Sequence, residues 1–280
     1  MPKKVDTRYT QERELSWLRF DKRVMEEAQD ESVPLFERLK FLSIFTSNLD
    51  EFFMIRVGSI YDMTLSKESH VDSKSGLTPA EQLQAIFQTV PALYKQRDKA
   101  FSHLDKRLRA CNICCLRPDE LDGQERKQAE RWLRDVIFPM LSPMVINSHH
   151  PFPHLPSKSL SVALILRREG ERCFALIPLP KRLPTFFQLK EQGLRYLLTE
   201  QLVMAYAEKL FSSYQVVEKC VISVTRNADI SPEDEDYDVG ESFRAHMLKV
   251  LKKRSRLAPV RLEIQGECSD ELVSYLCQRL

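Results

Sequence analysis

Phosphoryl transfer through a side chain, metal binding and thiol chemistry all need histidines, cysteines or carboxylates at workable spacings. The six histidines, His70, His103, His149, His150, His154 and His246, are scattered. The first falls in a polar loop, His103 and His246 fall on expected helices, and the other three lie in a proline-rich stretch. Cys111, Cys114 and Cys115 contain a C-x-x-C spacing, but the second ligand pair of a structural zinc site is missing from their neighbourhood. Residues 113–116 instead fit a short apolar strand that uses cysteine as a small hydrophobe. The acidic run 231–238 has no apolar periodicity and reads as a solvated loop. Carboxylates on such a loop rarely build the octahedral site that Mg²⁺ prefers, so no metal site is expected. Seven glycines leave little material for a glycine-rich phosphate loop. Asn48, in Ser47-Asn48-Leu49-Asp50-Glu51, offers both a donor and an acceptor. Ser47 and Asp50 there have capping-box spacing, which makes the segment a helix start.

The elements that must hold these residues follow from apolar periodicity. Over 12–30, Trp17, Phe20, Val24 and Ala28 recur every three or four residues, one face of an amphipathic helix with Thr10 as its cap. Pro34 stands at a first helical position, and Leu35, Leu39 and Leu42 continue a second helix facing the first. This helix is expected to break at 47–51, with a third beginning there, followed by a polar loop over 66–76. Thr78, Pro79 and Glu81 then open a long helix. Its stripe from Leu83 to Leu108 lasts about eight turns, with a kink expected at Pro91. Beyond Cys111 come a strand, a polar helix over 124–136 and a joint marked by Pro139, Pro143, Pro151, Pro153 and Pro156. A hairpin pairs 159–166 with 173–177 across Arg168-Glu169-Gly170-Glu171. A helix near 199–211, a strand over 216–224, a helix over 243–257, a strand over 259–264 and a last helix over 269–280 complete the chain. The expected fold class is α+β multidomain: an antiparallel helical bundle over 1–110, then a mixed α/β head domain over 111–280.

At 280 residues, two domains are the natural prior. Forty-two Lys plus Arg against forty Asp plus Glu give a net charge of +2, too balanced to wrap nucleic acid, and basic residues are not clustered among aromatics. No nucleic-acid partner is expected. The opening Met-Pro-Lys-Lys-Val-Asp-Thr has no apolar stretch behind its lysines, and no run of 18 apolar residues occurs. Seven cysteines, an odd number, suit a reducing compartment. The expectation is a soluble, cytoplasmic protein.

Three blocks carry a resemblance: Arg13-Glu14-Leu15-Ser16-Trp17-Leu18-Arg19-Phe20, Pro34-Leu35-Phe36-Glu37-Arg38-Leu39-Lys40-Phe41-Leu42, and Ser47-Asn48-Leu49-Asp50-Glu51-Phe52-Phe53-Met54-Ile55-Arg56-Val57. In order and spacing they resemble the opening of the polyphosphate kinase 1 family. The pattern continues through Leu116-Arg117-Pro118-Asp119-Glu120-Leu121, His150-Pro151-Phe152-Pro153, Val224-Thr225-Arg226-Asn227-Ala228-Asp229 and Val260-Arg261-Leu262-Glu263, so it covers essentially the whole chain.

The resemblance implies an ATP:polyphosphate phosphotransferase, reversible and Mg²⁺-dependent, acting through a phosphohistidine in a considerably longer protein. In that family the helical and head domains come first, and phospholipase D-related domains supply the nucleophile and most phosphate ligands. None of the six histidines here sits in an H-x-K-x-x-x-x-D setting. No catalytic residue is therefore expected within this chain, and 1–280 alone is expected to be inactive. The resemblance puts Asn48 at the nucleotide pocket, near an adenine whose edge a carboxamide matches. The other reading is that Asn48 only caps a helix beginning at Leu49. Asp50 and Glu51 are read as complementing that helix's dipole, Arg56 as available for an ion pair or for phosphate, and Arg38 and Lys40 as solvated or paired. Phe152 is expected to be buried at the joint. Two departures from the family pattern stand out: Lys158 where asparagine is common, and the absence of a usual proline over 196–201. Expected partners are ATP, polyphosphate and further copies of the chain through the head. The alternative is a stand-alone, non-catalytic dimerisation or regulatory module.

Overall fold

The computed structural model describes residues 10–66, 71–189, 193–228 and 257–280. The acidic run 231–238 and most of the helix expected over 243–257 lie outside them. Close contacts divide the chain into two compact units.

The first unit is built from helices α1 (Arg13–Gln29), α2 (Leu35–Phe52), α3 (Gly58–Leu65) and α4 (Pro79–Ala110). Glu12 caps α1 by accepting from the Leu15 N–H at 2.6 Å. Thr10, expected in that role, instead donates to the Lys74 carbonyl at 2.8 Å. The buried stripe of α1 is Leu18, Asp21, Met25 and Ala28, one residue round from the expected face, so Phe20 is left exposed. The break expected at 47–51 does not occur: α2 runs unbroken through Ser47, Asn48 and Asp50. Phe45, Leu49 and Phe52 prolong the buried face begun by Leu42. Burying each is worth about 1.5–3 kcal/mol, which outweighs the roughly half a kilocalorie per residue that serine or asparagine costs inside a helix.

After α2 the helix widens into a π turn, Phe53–Val57, before α3. The Met54 carbonyl of this turn accepts from the Ala228 N–H at 2.9 Å. The capping box at the start of α4 forms as expected, with Thr78 N–H donating to Glu81 Oε2 at 2.8 Å and Glu81 N–H to Thr78 Oγ1 at 3.4 Å. α4 continues for 32 residues with Pro91 inside it.

The described residues of 225–260 also belong to this first unit, whereas Arg109–Val224 and Arg261–Leu280 form the second. The expected single division at residue 110 does not describe this return of the chain. The reason is packing: Asn227 is 2% exposed, its Nδ2 donates to Asp62 Oδ2 at 2.6 Å, and its N–H donates to the Ala258 carbonyl at 2.9 Å. It sits so close to α3 that a Cβ on Gly58 would lie 2.2 Å from Asn227 Oδ1.

The second unit carries two sheets. Strand β1 (Ile113–Cys115) pairs in parallel with β6 (Leu194–Leu198), which pairs antiparallel with β5 (Phe186–Gln188). The larger sheet contains β2 (Met144–Ile146), β3 (Leu160–Arg168), β4 (Glu171–Pro178), β7 (Gln215–Arg226) and β8 (Pro259–Gln265), in the order β2-β4-β3-β7-β8. The expected hairpin is β3–β4, turned through Glu169 and Gly170 at φ 53° and 89°. Ser161–Leu166 is buried residue after residue because both sheet faces are covered. Val162, Leu164 and Ile177 share one core with residues of α5 (Gly123–Trp132) and α6 (Thr199–Ala205). Ala163, Ile165 and Ile222 share the other with Leu272 and Leu276 of α7 (Asp270–Arg279). The helix expected near 199–211 is α6 followed by a 3₁₀ turn, Ala207–Leu210. Among the described residues, no helix is long and apolar enough to cross a membrane.

Candidate functional site

α1, the end of α2 and the π turn enclose a pocket of about 290 Å³ lined by Trp17, Phe20, Asn48, Glu51, Phe52, Ile55 and Arg56. Helical spacing assembles it: Trp17 and Phe20 are three apart on α1, and Asn48, Glu51 and Phe52 lie at i, i+3 and i+4 on α2. Trp17 and Phe52 stack on each other at 4.7 Å and 11° with Phe52 buried, while Phe20 is 56% exposed at the wall. Such a mixed aromatic and polar lining suits a planar group that carries polar atoms at its edge.

Asn48 lies in the interior of α2, which removes the capping reading. Its backbone sits within the helical ladder, so only the side chain can meet a ligand. Nδ2 donates to Asp21 Oδ1 at 2.9 Å. Asp21 is fully buried, and its Oδ2 has no hydrogen-bond partner among the described residues. Burial pushes the Asp21 carboxyl up to about 6, against the pull of the Asn48 bond. Sequence reading missed Asp21, although the signal was an acid on the stripe Leu18-Asp21-Met25-Ala28.

Asp50 and Glu51 fall in the last turn of α2, which runs on through the π turn into α3, so no helix start lies there for them to complement. The exposed Arg56 makes no ion pair with a described residue. It also borders a neighbouring cleft of about 540 Å³, which includes Arg13 and Lys74 together with Glu12, Glu14 and Asp72. Arg13 is paired with Glu14 at 2.9 Å, and hydrogen bonds from Ser75 hold the Asp72 carboxyl below its usual range. Arg38 is not solvated: at 3% exposure its Nε donates to the Ala28 carbonyl at 2.9 Å, in the last turn of α1. Lys40 pairs with Glu37 at 2.8 Å.

The described histidines are not brought together. His103 is exposed, 3.7 Å from Glu31. The His149 and His150 N–H groups donate to Asn147 Oδ1, both at 2.9 Å, and His154 is exposed. His70 and His246 lie outside the described residues. No group of three His, Cys, Asp or Glu side chains able to hold a metal occurs among the described residues, so none is assigned to Mg²⁺. Phe152 is half-buried, edge-on to Tyr275 at 6.3 Å.

Fold and pocket define a two-unit α+β protein whose helical unit bears an aromatic pocket with one carboxamide. Residues 10–116 match the family model described as the polyphosphate kinase N-terminal domain, and residues 124–280 match that of the polyphosphate kinase middle domain. The polyphosphate kinase of Exiguobacterium sibiricum is 37% identical over 269 residues, covering 94% of this chain and 37% of that protein. That of Bacillus cereus is 37% identical over 280 residues, covering 97% of this chain and 40% of that protein. The crystal structure of polyphosphate kinase from Porphyromonas gingivalis superposes with a TM-score of 0.75 at 26% identity, covering 96% of this chain and 37% of that one. The chain belongs to the polyphosphate kinase family. It spans about two fifths of the length of these relatives.

Proposed function

We propose that this chain supplies the nucleotide-base pocket of an ATP:polyphosphate phosphotransferase, with the base held by the α1–α2 pocket around Asn48. The observation that carries this reading is a carboxamide inside a helix, tied at its nitrogen and sharing a pocket with the aromatic side chains of Trp17 and Phe20. Aromatic faces accept a purine ring, and the free side of the carboxamide meets the base edge. Arg56, shared by the pocket and the adjoining cleft, stands where a phosphate tail would leave the base, and a guanidinium with no ion pair among the described residues suits phosphate oxygens. Mg²⁺ would arrive with the triphosphate and neutralise part of its charge. The phosphohistidine is assigned to none of these 280 residues, and the head unit serves subunit association in a cytoplasmic enzyme. The names of the relatives support the substrate class.

Two measurements test this reading. Purified 1–280 with ATP, Mg²⁺ and a polyphosphate primer is expected to form no polymer; polymer formation would place the nucleophile within this chain. Titration with ATP, followed by Trp17 fluorescence, is expected to show binding that Asn48→Ala weakens about tenfold in the folded protein, alongside a lowered melting temperature because the buried Asp21 loses the bond from Nδ2. Unchanged affinity in that variant would remove Asn48 from the site.

A further inference from the structure

We infer that Asp21 is a positioning residue that makes the pocket selective for a base donating a hydrogen from its edge, as the 6-amino group of adenine does. It does so by holding the Asn48 amide with Nδ2 turned inward and Oδ1 left for the ligand. This rests on the reading of the pocket as a nucleotide site.

Three observations carry it. First, Nδ2 of Asn48 donates to Asp21 Oδ1 at 2.9 Å. A carboxylate only accepts, so the reversed amide would set oxygen against oxygen with no hydrogen between them. Second, Asp21 is fully buried on α1 between Leu18 and Met25, so it cannot swing away to solvent and release the amide. Third, Asn48 lines the pocket, and its Oδ1 accepts no hydrogen bond from a described residue. The second hydrogen of the amide lies on the same inward-turned nitrogen. What Asn48 offers a ligand is therefore an acceptor. Asp21 also has an oxygen with no partner among the described residues, an arrangement that costs stability and that an apolar side chain on this stripe would avoid. Orienting the amide is a role that only a polar group there can fill.

The test compares ATP with purine riboside triphosphate, which lacks only the 6-amino group, in binding titrations of 1–280 and its variants. The wild type is expected to favour ATP about tenfold, the worth of one oriented hydrogen bond. In Asp21→Asn a carboxamide faces Asn48 and can pair with it either way round. Asn48 can then turn its amide nitrogen to ring N1, which both nucleotides carry, and the preference is expected to fall to about twofold. Asp21→Leu, which removes the acceptor, is expected to do the same and serves if the first variant folds poorly. A preference unchanged in both variants, or absent in the wild type, overturns the inference while leaving the pocket standing if Asn48→Ala still loses ATP. ATP binding indifferent to Asn48→Ala overturns both.

Discussion

Asp21 joins complete burial to a carboxyl raised from 3.8 to about 6, and this sets the sign of its own contribution to the pH dependence of stability. The folded state holds that proton more tightly than the unfolded chain does. Between roughly pH 4 and 6 Asp21 is more protonated folded than unfolded, so its contribution to stability falls as pH rises through this window and levels off above it. A shift of this size corresponds to on the order of 3 kcal/mol. Asp21→Asn cannot titrate and is expected to be more stable than wild type at pH 7.5, with the advantage shrinking at pH 4.5. Urea melts at both pH values measure it, and an equal advantage at both would show that ionisation is not the source. Lys158 presents a simpler case. Its φ of 58° lies in the left-handed region, which asparagine tolerates better than lysine does, a reason for the asparagine common in the family at this position. Lys158→Asn is expected to raise stability by about 0.5–1 kcal/mol, read as a higher urea midpoint at unchanged slope. The sequence marked Lys158 only as a departure from the family pattern and Asp21 only as an acid on an apolar stripe, because burial and backbone angle are set by distant neighbours.

Among the elements, the π turn and α3 show how close approach constrains a single position. Gly58 leaves room for Asn227, and a methyl group there would lie 2.2 Å from Asn227 Oδ1. Gly58→Ala is expected to destabilise by about 1–3 kcal/mol by displacing the Asn227–Asp62 bond. Adding it to Asn227→Ala should cost much less, since the obstructing side chain is already gone. Additive losses in that double-mutant cycle would place the strain elsewhere. Most elements were legible beforehand. α4 was announced by Thr78, Pro79 and Glu81, and the β3–β4 hairpin by its turn residues. The helix start at Ser47 was misread because Ser, Asn and Asp carry a capping signature that the buried faces of Phe45, Leu49 and Phe52 override. Short β5 was missed for want of length.

At the scale of the molecule, the chain leaves the helical unit at Leu108, and the described residues of 225–260 belong to it again. The Asn227 and Ala228 N–H groups are bonded within that unit, to the Ala258 and Met54 carbonyls. Under native-state hydrogen exchange in rising denaturant, these two amides are expected to lose protection together with α2, and not with β3 and β4. Exchange that follows the sheet would contradict the division.

The sequence by itself determined the helices of the first unit, the hairpin, the α+β class and, through blocks such as Asn48-Leu49-Asp50-Glu51-Phe52, the family. These are written in residues a few positions apart, where helical and strand periodicity act. Only the tertiary structure decided that Asn48 stands inside a helix over a buried Asp21, that Arg38 closes the last turn of α1, and that Asn227 packs against Gly58. Each joins residues between 10 and 169 positions apart in the chain. What they share is burial, which depends on every element packed around a side chain and leaves no local periodicity to read.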